Sequence, residues 1–192
     1  MFTGIYQSIA MLLTVLAYYV MDFILIRKYS NQRSTGESGR SWGYTAFALA
    51  MGLVLIVQPL LLPVLGYSTT SHWGLLVQLV GVVVILLAYS FHLWARLHLC
   101  QFYAERVETV PDHKLIDTGP YAWVRHPVIT SFFGFTLGMF LINPAVTTLI
   151  VIIYVVWDFG HAAIAEEKLL SENVPGYKEY MQRVPRFFPR FW

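Results

Sequence analysis

Charge is scarce in this chain. Only 12% of its 192 residues are Asp, Glu, Lys or Arg, about half the share of an ordinary soluble domain. With 57% hydrophobic residues and a mean hydropathy of +0.57, that scarcity excludes a water-soluble single domain. Cysteine is nearly absent as well. The lone Cys100 excludes an internal disulfide and a metal site built from thiolates. There is no Gly-rich phosphate loop and no nucleophile elbow, and nothing in the pattern points to nucleic acid. His72, His92 and His98 lack a metal-ligand spacing shared with carboxylates or thiols, so no metal is expected. The N-terminus lacks a basic n-region, so no secretory signal is expected either.

What is present is a series of long apolar runs. Ile5–Ile26, Tyr44–Leu65 and Gly74–Ala95 are each long enough to cross a bilayer. Val128–Ile142 is shorter, Asn143-Pro144 reads as a turn, and Ala145–Ala165 returns. The last two runs predict a tight helical hairpin. Within it Gly134 and Gly138 have the four-residue spacing that lets helix backbones approach in lipid. The expected fold is an all-α integral membrane protein with about five transmembrane helices. Residues 1–96 hold the first three helices, and 97–192 form the second half of one structural domain.

The few charges fall in three places. Lys and Arg occur in the loop Arg27–Arg40, between Arg96 and Arg125, and from Lys168 onward, whereas Gly66–His72 has no Lys, Arg, Asp or Glu. Five spans put all three basic regions on one side, and the positive-inside rule makes that side cytoplasmic. The N-terminus is then outside, and the polar stretch before the fourth span lies beside the C-terminal tail.

That juxtaposition gathers the candidate chemistry. Leu115–Pro127 is punctuated by Thr118-Gly119-Pro120, a turn signal, and ends in Arg125-His126-Pro127 at the mouth of an apolar helix. His113, Lys114, Tyr121, Arg125 and His126 lie before the fourth span. Glu166, Glu167, Tyr177, Tyr180, Arg183 and Arg186 lie after the fifth. Carboxylates, cations and aromatics at a membrane boundary suit an amphipathic or cationic ligand. A plain basic anchor for the helix would use the same Arg-His pair. Asp22 is read as reaching Arg27 or water, and Asp158 and His161 share a helix face and can pair.

His113-Lys114-Leu115-Ile116, Gly119–Pro127, Asn143-Pro144, Glu166-Glu167, Gly176–Tyr180 and Arg183-Val184-Pro185 together resemble the isoprenylcysteine carboxyl methyltransferases and the wider group of phospholipid methyltransferases. The resemblance runs from His113 to Pro189. It implies an S-adenosylmethionine-dependent transfer to a lipophilic or prenylated acceptor from the bilayer, with S-adenosylhomocysteine as product. By that resemblance the cofactor pocket is built from the loop before helix 4 and the tail. It would be lined by His113, Lys114, Leu115, Gly119, Tyr121, His126, Pro127, Glu166 and Tyr177. Arg125, Glu167 and Arg183 would act on the acceptor: the arginines hold a carboxylate, or Glu167 takes the proton of an amine. Small residues Ser131, Gly134 and Gly138 would admit a lipid tail between helices. The family's usual Tyr two positions after the Pro is Ile129 here. An N-methyltransferase of phospholipids, a nicotinamide-dependent sterol-type reductase and a non-enzymatic membrane protein remain as alternatives, although 192 residues is short for the reductase.

Overall fold

Five long helices and one short one carry the residues described in a computed structural model, 3–29, 42–63, 72–99 and 115–189. They are α1 Ile5–Tyr29, α2 Trp42–Leu61, α3 His72–Leu99, α4 Pro127–Ile142, α5 Val146–Asn173 and α6 Tyr177–Arg183. A 3₁₀ turn, Gly119–Ala122, precedes α4. There is no strand among the described residues.

Helices α1, α3 and α5 are long and apolar enough to span a membrane, whereas α2 and α4 have 20 and 16 residues. At 1.5 Å per residue α4 is only about 24 Å long, short of a ~30 Å hydrocarbon core. Helix α5 is about 42 Å long by the same rise. It continues past the apolar run that ends at Ala165, so Glu166 and Glu167 stand on a helix rather than in a tail. Large side chains such as Leu16, Leu87 and Ile153 are exposed on the outer helix faces, where lipid rather than water meets them.

Buried polar pairs fix how the helices run. Asp22 near the end of α1 meets Arg96 near the end of α3, Nη2 to Oδ1 at 2.9 Å. At the opposite end Gln7 of α1 and Gln78 of α3 both donate to the Ile142 carbonyl, at 3.1 and 2.9 Å. Helix α4 therefore runs against α1 and α3, and α5 returns alongside them. The expectation for Asp22 is corrected: its partner is Arg96. A buried carboxylate among apolar helices needs an equally buried cation, and Arg27 instead lies over the Phe23 ring at 4.5 Å.

The small residues of α4 serve a different neighbour from the one expected. A Cβ on Gly138 would lie 2.6 Å from Ile85 Cγ1 and 2.8 Å from the Gly81 carbonyl oxygen, and one on Gly134 would lie 3.0 Å from Ala88 Cβ. Both glycines thus admit α3, not α5. Ser131 faces α3 too, within 2.8 Å of His92. This face is closed by packing and admits no lipid tail.

Asn143 is buried at the α4–α5 turn. Its side chain donates to Gln58 Oε1 at 2.6 Å, and its carbonyl accepts from Thr148 Oγ1 at 2.7 Å. Truncation to Ala removes the shorter of two bonds to the Gln58 oxygen and leaves only the Thr147 hydroxyl at 3.3 Å, a loss of about 0.5–1.5 kcal/mol. We expect Asn143→Ala to lower the thermal midpoint in detergent and leave cofactor affinity at the other end of α4 unchanged. An unchanged midpoint would contradict this role.

Candidate functional site

Gly119 has φ +58°, a backbone setting that favours glycine. A Cβ there would also lie 2.7 Å from the His98 ring, whose Nε2 is 2.8 Å from Thr118 Oγ1. The end of α3 is thereby pinned to the turn. Pro120 and Pro127 open the 3₁₀ turn and α4, positions where the missing N–H costs nothing. The His126 side chain makes no cap bond to its own helix and reaches α5 instead.

There it joins a five-residue ion cluster centred on Glu167, which is 3% exposed. Arg125 donates to Glu167 Oε1 through Nε at 2.9 Å and Nη2 at 2.8 Å. Arg186 binds both oxygens, Nε to Oε1 at 3.0 Å and Nη2 to Oε2 at 2.7 Å. His126 Nε2 meets Oε1 at 3.1 Å, while its Nδ1 is 3.4 Å from the Glu166 carboxylate. A neutral imidazole has one N–H, so a carboxylate at each nitrogen favours the doubly protonated ring. Burial pulls the His126 pKa down, but the hydrogen bonds and charges of Glu166 and Glu167 outweigh it and raise the pKa above the ordinary value.

The tail is laced to the same segment. Arg125 and His126 donate their backbone N–H groups to the Pro185 and Arg186 carbonyls at 2.8 and 3.1 Å. The Arg125 guanidinium also caps the Met181 carbonyl at 2.9 Å and that of Val184. Tyr180 donates to the Tyr121 carbonyl at 2.7 Å, and Thr130 to that of Phe187 at 2.9 Å. Burial pushes the Tyr177 and Tyr180 phenols well above their ordinary range, so both stay protonated.

A pH dependence follows from His126. A histidine whose folded pKa is raised adds stability that is complete below the unfolded value of about 6.5 and is lost as pH climbs through the folded value. We expect the thermal midpoint to fall over that alkaline side. His126→Gln should flatten that part of the profile; an identical slope in the variant would exclude His126 as its source.

Of the residues singled out in the sequence, Arg125, His126, Glu166 and Glu167 come together. Leu115 and Tyr177 meet in an apolar cluster with Leu170, Val174, Tyr180 and Val184. Tyr121 and Pro127 are buried, and the Tyr121 carbonyl is tied to that cluster through Tyr180. Gly119 lies against His98. His113 and Lys114 fall outside the described residues. Arg183 points elsewhere: it is 64% exposed and pairs with Asp117 at 3.2 Å. Arg186 occupies the place by Glu167, a role the site assignment missed although the residue lies one step beyond the Arg-Val-Pro motif. His161 bonds the Trp157 carbonyl at 2.7 Å rather than Asp158. Glu167 itself, gripped by Arg125, His126 and Arg186, holds the tail in place and is poorly suited to take a proton.

Deeper along α4 and α5 than the cluster, the five long helices line a half-open apolar cleft of about 200 Å³. Tyr18 and Tyr19 of α1, Gly52 of α2, Tyr89 of α3, Phe132 and Phe135 of α4 and Phe159 of α5 line it. Its walls suit a hydrocarbon chain.

Residues 79–172 match the model of the isoprenylcysteine carboxyl methyltransferase (ICMT) family. The chain is 29% identical over 178 residues to the protein-S-isoprenylcysteine O-methyltransferase of Saccharomyces cerevisiae, covering 87% of this chain and 73% of that protein. It is 31% identical over 113 residues to the nickel-cobalt-cadmium resistance protein NccN of Alcaligenes xylosoxydans xylosoxydans, 58% of this chain and about half, 49%, of that one. The solved structure of the eukaryotic intramembrane Ras methyltransferase ICMT superposes with a TM-score of 0.73 at 23% identity, covering 97% of this chain and 67% of the other.

Proposed function

We propose that the chain, which matches the model of the isoprenylcysteine carboxyl methyltransferase family over residues 79–172 and is similar to a yeast protein-S-isoprenylcysteine O-methyltransferase, methylates the free carboxylate of a C-terminal isoprenylcysteine at the cytoplasmic face of a membrane, with S-adenosylmethionine as donor. The observation that supports this reading is the Glu167 cluster, which shares α4 and α5 with an apolar cleft lying deeper in the bundle. The cluster's three cations and two carboxylates leave one positive charge over, which draws a carboxylate and repels a lipid ammonium.

The donor set fits the cofactor. Glu166 is half-exposed beside the His126 imidazolium, so one carboxylate is open to the cofactor's amine. Leu115 and Tyr177, packed on each other's cluster, offer an apolar and aromatic wall for a flat purine. When bound, the cofactor supplies an electrophilic methyl on a sulfonium. The chain's own residues align and desolvate the acceptor. An acceptor carboxylate is ionised at neutral pH, so no side chain has to remove a proton. Rate then comes from in-line positioning in a site closed to water. The tail, stitched to the Arg125-His126 backbone, is what closes it.

The likeness to the nickel-cobalt-cadmium resistance protein, whose name mentions no prenyl group, favours a second reading of the acceptor as a lipophilic carboxylate or amine other than prenylcysteine. One experiment separates the readings. Detergent-purified protein is titrated calorimetrically with S-adenosylmethionine, S-adenosylhomocysteine and NADPH, then assayed with radiolabelled donor on N-acetyl-S-farnesylcysteine. Binding of both adenosyl ligands and labelling of the farnesylcysteine are expected. NADPH binding alone would replace the proposal with a reductase, and adenosyl binding without labelling would move the acceptor to the second reading.

A further inference from the structure

The helix glycines Gly81, Gly134 and Gly138 are explained by the close approach of α3 and α4, where an added Cβ would lie 2.8, 3.0 and 2.6 Å from an atom of the other helix. Gly52 of α2 is different. Among the described residues a Cβ there would meet Val15 Cγ1 of α1 alone, at 3.9 Å, an ordinary contact. Glycine weakens a helix interior relative to alanine, and no neighbouring helix demands it at this point. The room it leaves opens on the apolar cleft, which Gly52 lines together with Val15, Tyr18, Phe132, Phe135 and Thr136.

The place of that room along the bundle gives it a meaning. Phe132 is six residues along α4 from His126, about 9 Å by helix rise, and its ring meets Tyr18 at 5.3 Å. Val15 lies three residues nearer than Tyr18 to the end of α1 away from the ion cluster, about 4.5 Å further on. Gly52 therefore widens the cleft roughly 14 Å from the cluster. Beyond it, Gln58 accepts from Asn143 at 2.6 Å and from Thr147 at 3.3 Å, a polar floor that hydrocarbon cannot pair with. An acceptor whose carboxylate is drawn to the cluster's surplus positive charge would lay the first part of its tail along Phe132 and Tyr18. The next part would pass Gly52, and a chain that outlasts the cleft would leave by its open side into lipid.

We propose that Gly52 is a specificity-determining position: its missing side chain lets the cleft take in a tail of farnesyl length or more, and a side chain there would stop the tail at that level. The proposal rests on the methyl-acceptor reading above and deepens it. A geranyl tail, one isoprene unit shorter than farnesyl, ends near Gly52 and makes little use of the room.

The test is label transfer in vesicles to N-acetyl-S-farnesylcysteine and N-acetyl-S-geranylcysteine. It is run on the intact protein and on Gly52→Ala, Gly52→Val and Gly52→Phe, with S-adenosylhomocysteine affinity measured by calorimetry for each. The intact protein should favour farnesyl in kcat/KM. Gly52→Ala, whose methyl fits beside Val15, should keep that ratio within about threefold. Gly52→Phe should lower the farnesyl-to-geranyl ratio by at least about tenfold, the scale on which a hydrophobic pocket discriminates by size, with Gly52→Val between. S-adenosylhomocysteine affinity should hold throughout, because the cluster end is untouched. Leu53→Phe, one position along α2 and 61% exposed, should leave the ratio as it is. A substitution that only loosens the helices would slow both acceptors together; that result, or an unchanged ratio in Gly52→Phe, overturns the proposal. Where Gly52→Phe fails to insert, Gly52→Val decides: a ratio lowered at least about threefold supports the proposal, and an unchanged one overturns it. If the intact protein labels neither compound while still binding S-adenosylhomocysteine, the acceptor reading itself falls and this inference with it.

Discussion

We expect Glu167→Ala to lose methyl transfer by more than about a hundredfold, the rate equivalent of ~3 kcal/mol. The carboxylate is 3% exposed and is gripped by Arg125, Arg186 and His126. Removing one partner of a buried charge cluster costs about 3–5 kcal/mol, because the remaining charges stay desolvated without an opposite. Here three cations would face each other, with only the half-exposed Glu166 to answer them. The tail, which reaches the α4 segment through Arg125 and Arg186, would come away first and open the site to water. Glu167→Gln should fall between, since an amide oxygen still accepts but carries no charge. The measurement is initial-rate label transfer in vesicles, with S-adenosylhomocysteine affinity from calorimetry beside it. Turnover above about a tenth of normal in Glu167→Ala would remove Glu167 from the centre of the site.

Much of this architecture is legible in the sequence, for one physical reason. In lipid every backbone polar group must be paired inside the element, so a long apolar run has little choice but helix. The five runs accordingly become the five long helices. Their ends are less legible. Glu166 and Glu167 read as the start of a tail, yet α5 continues to Asn173, because polarity marks where lipid ends and not where a helix does. Arg125-His126 and Glu166-Glu167 stand out as charges beside apolar segments. Their partners do not. Arg186 is one of several tail cations, and nothing local sets it above Arg183. Asp22 finds Arg96, 74 positions on. Gly134 and Gly138 announce a close helix contact, but glycine spacing is silent about which helix comes close.

The contrast between two neighbouring arginines is the sharpest check on the site. Arg186→Ala should reduce methyl transfer at least about tenfold, and Arg183→Ala by less than about threefold. Arg186 makes two parallel bonds to Glu167, at 3.0 and 2.7 Å, the fork geometry in which charge-assisted bonds are strongest. Glu167 also supports it in turn, raising the guanidinium pKa chiefly through those hydrogen bonds. Because its own side chain is 37% exposed, water can partly replace it, so its loss should cost less than that of Glu167. Arg183 meets Asp117 at 3.2 Å with both side chains well exposed, and an exposed pair of this kind contributes about 0–1 kcal/mol. Arg186→Lys separates charge from shape. An ammonium keeps the positive charge but cannot bind both carboxylate oxygens in the same fork, so it should recover only part of the loss. The assay is label transfer at saturating donor, with vesicle insertion verified for each variant. If Arg183→Ala were the more damaging of the two, the acceptor would be held by the exposed end of α6, and the Glu167 cluster would be a tail anchor alone.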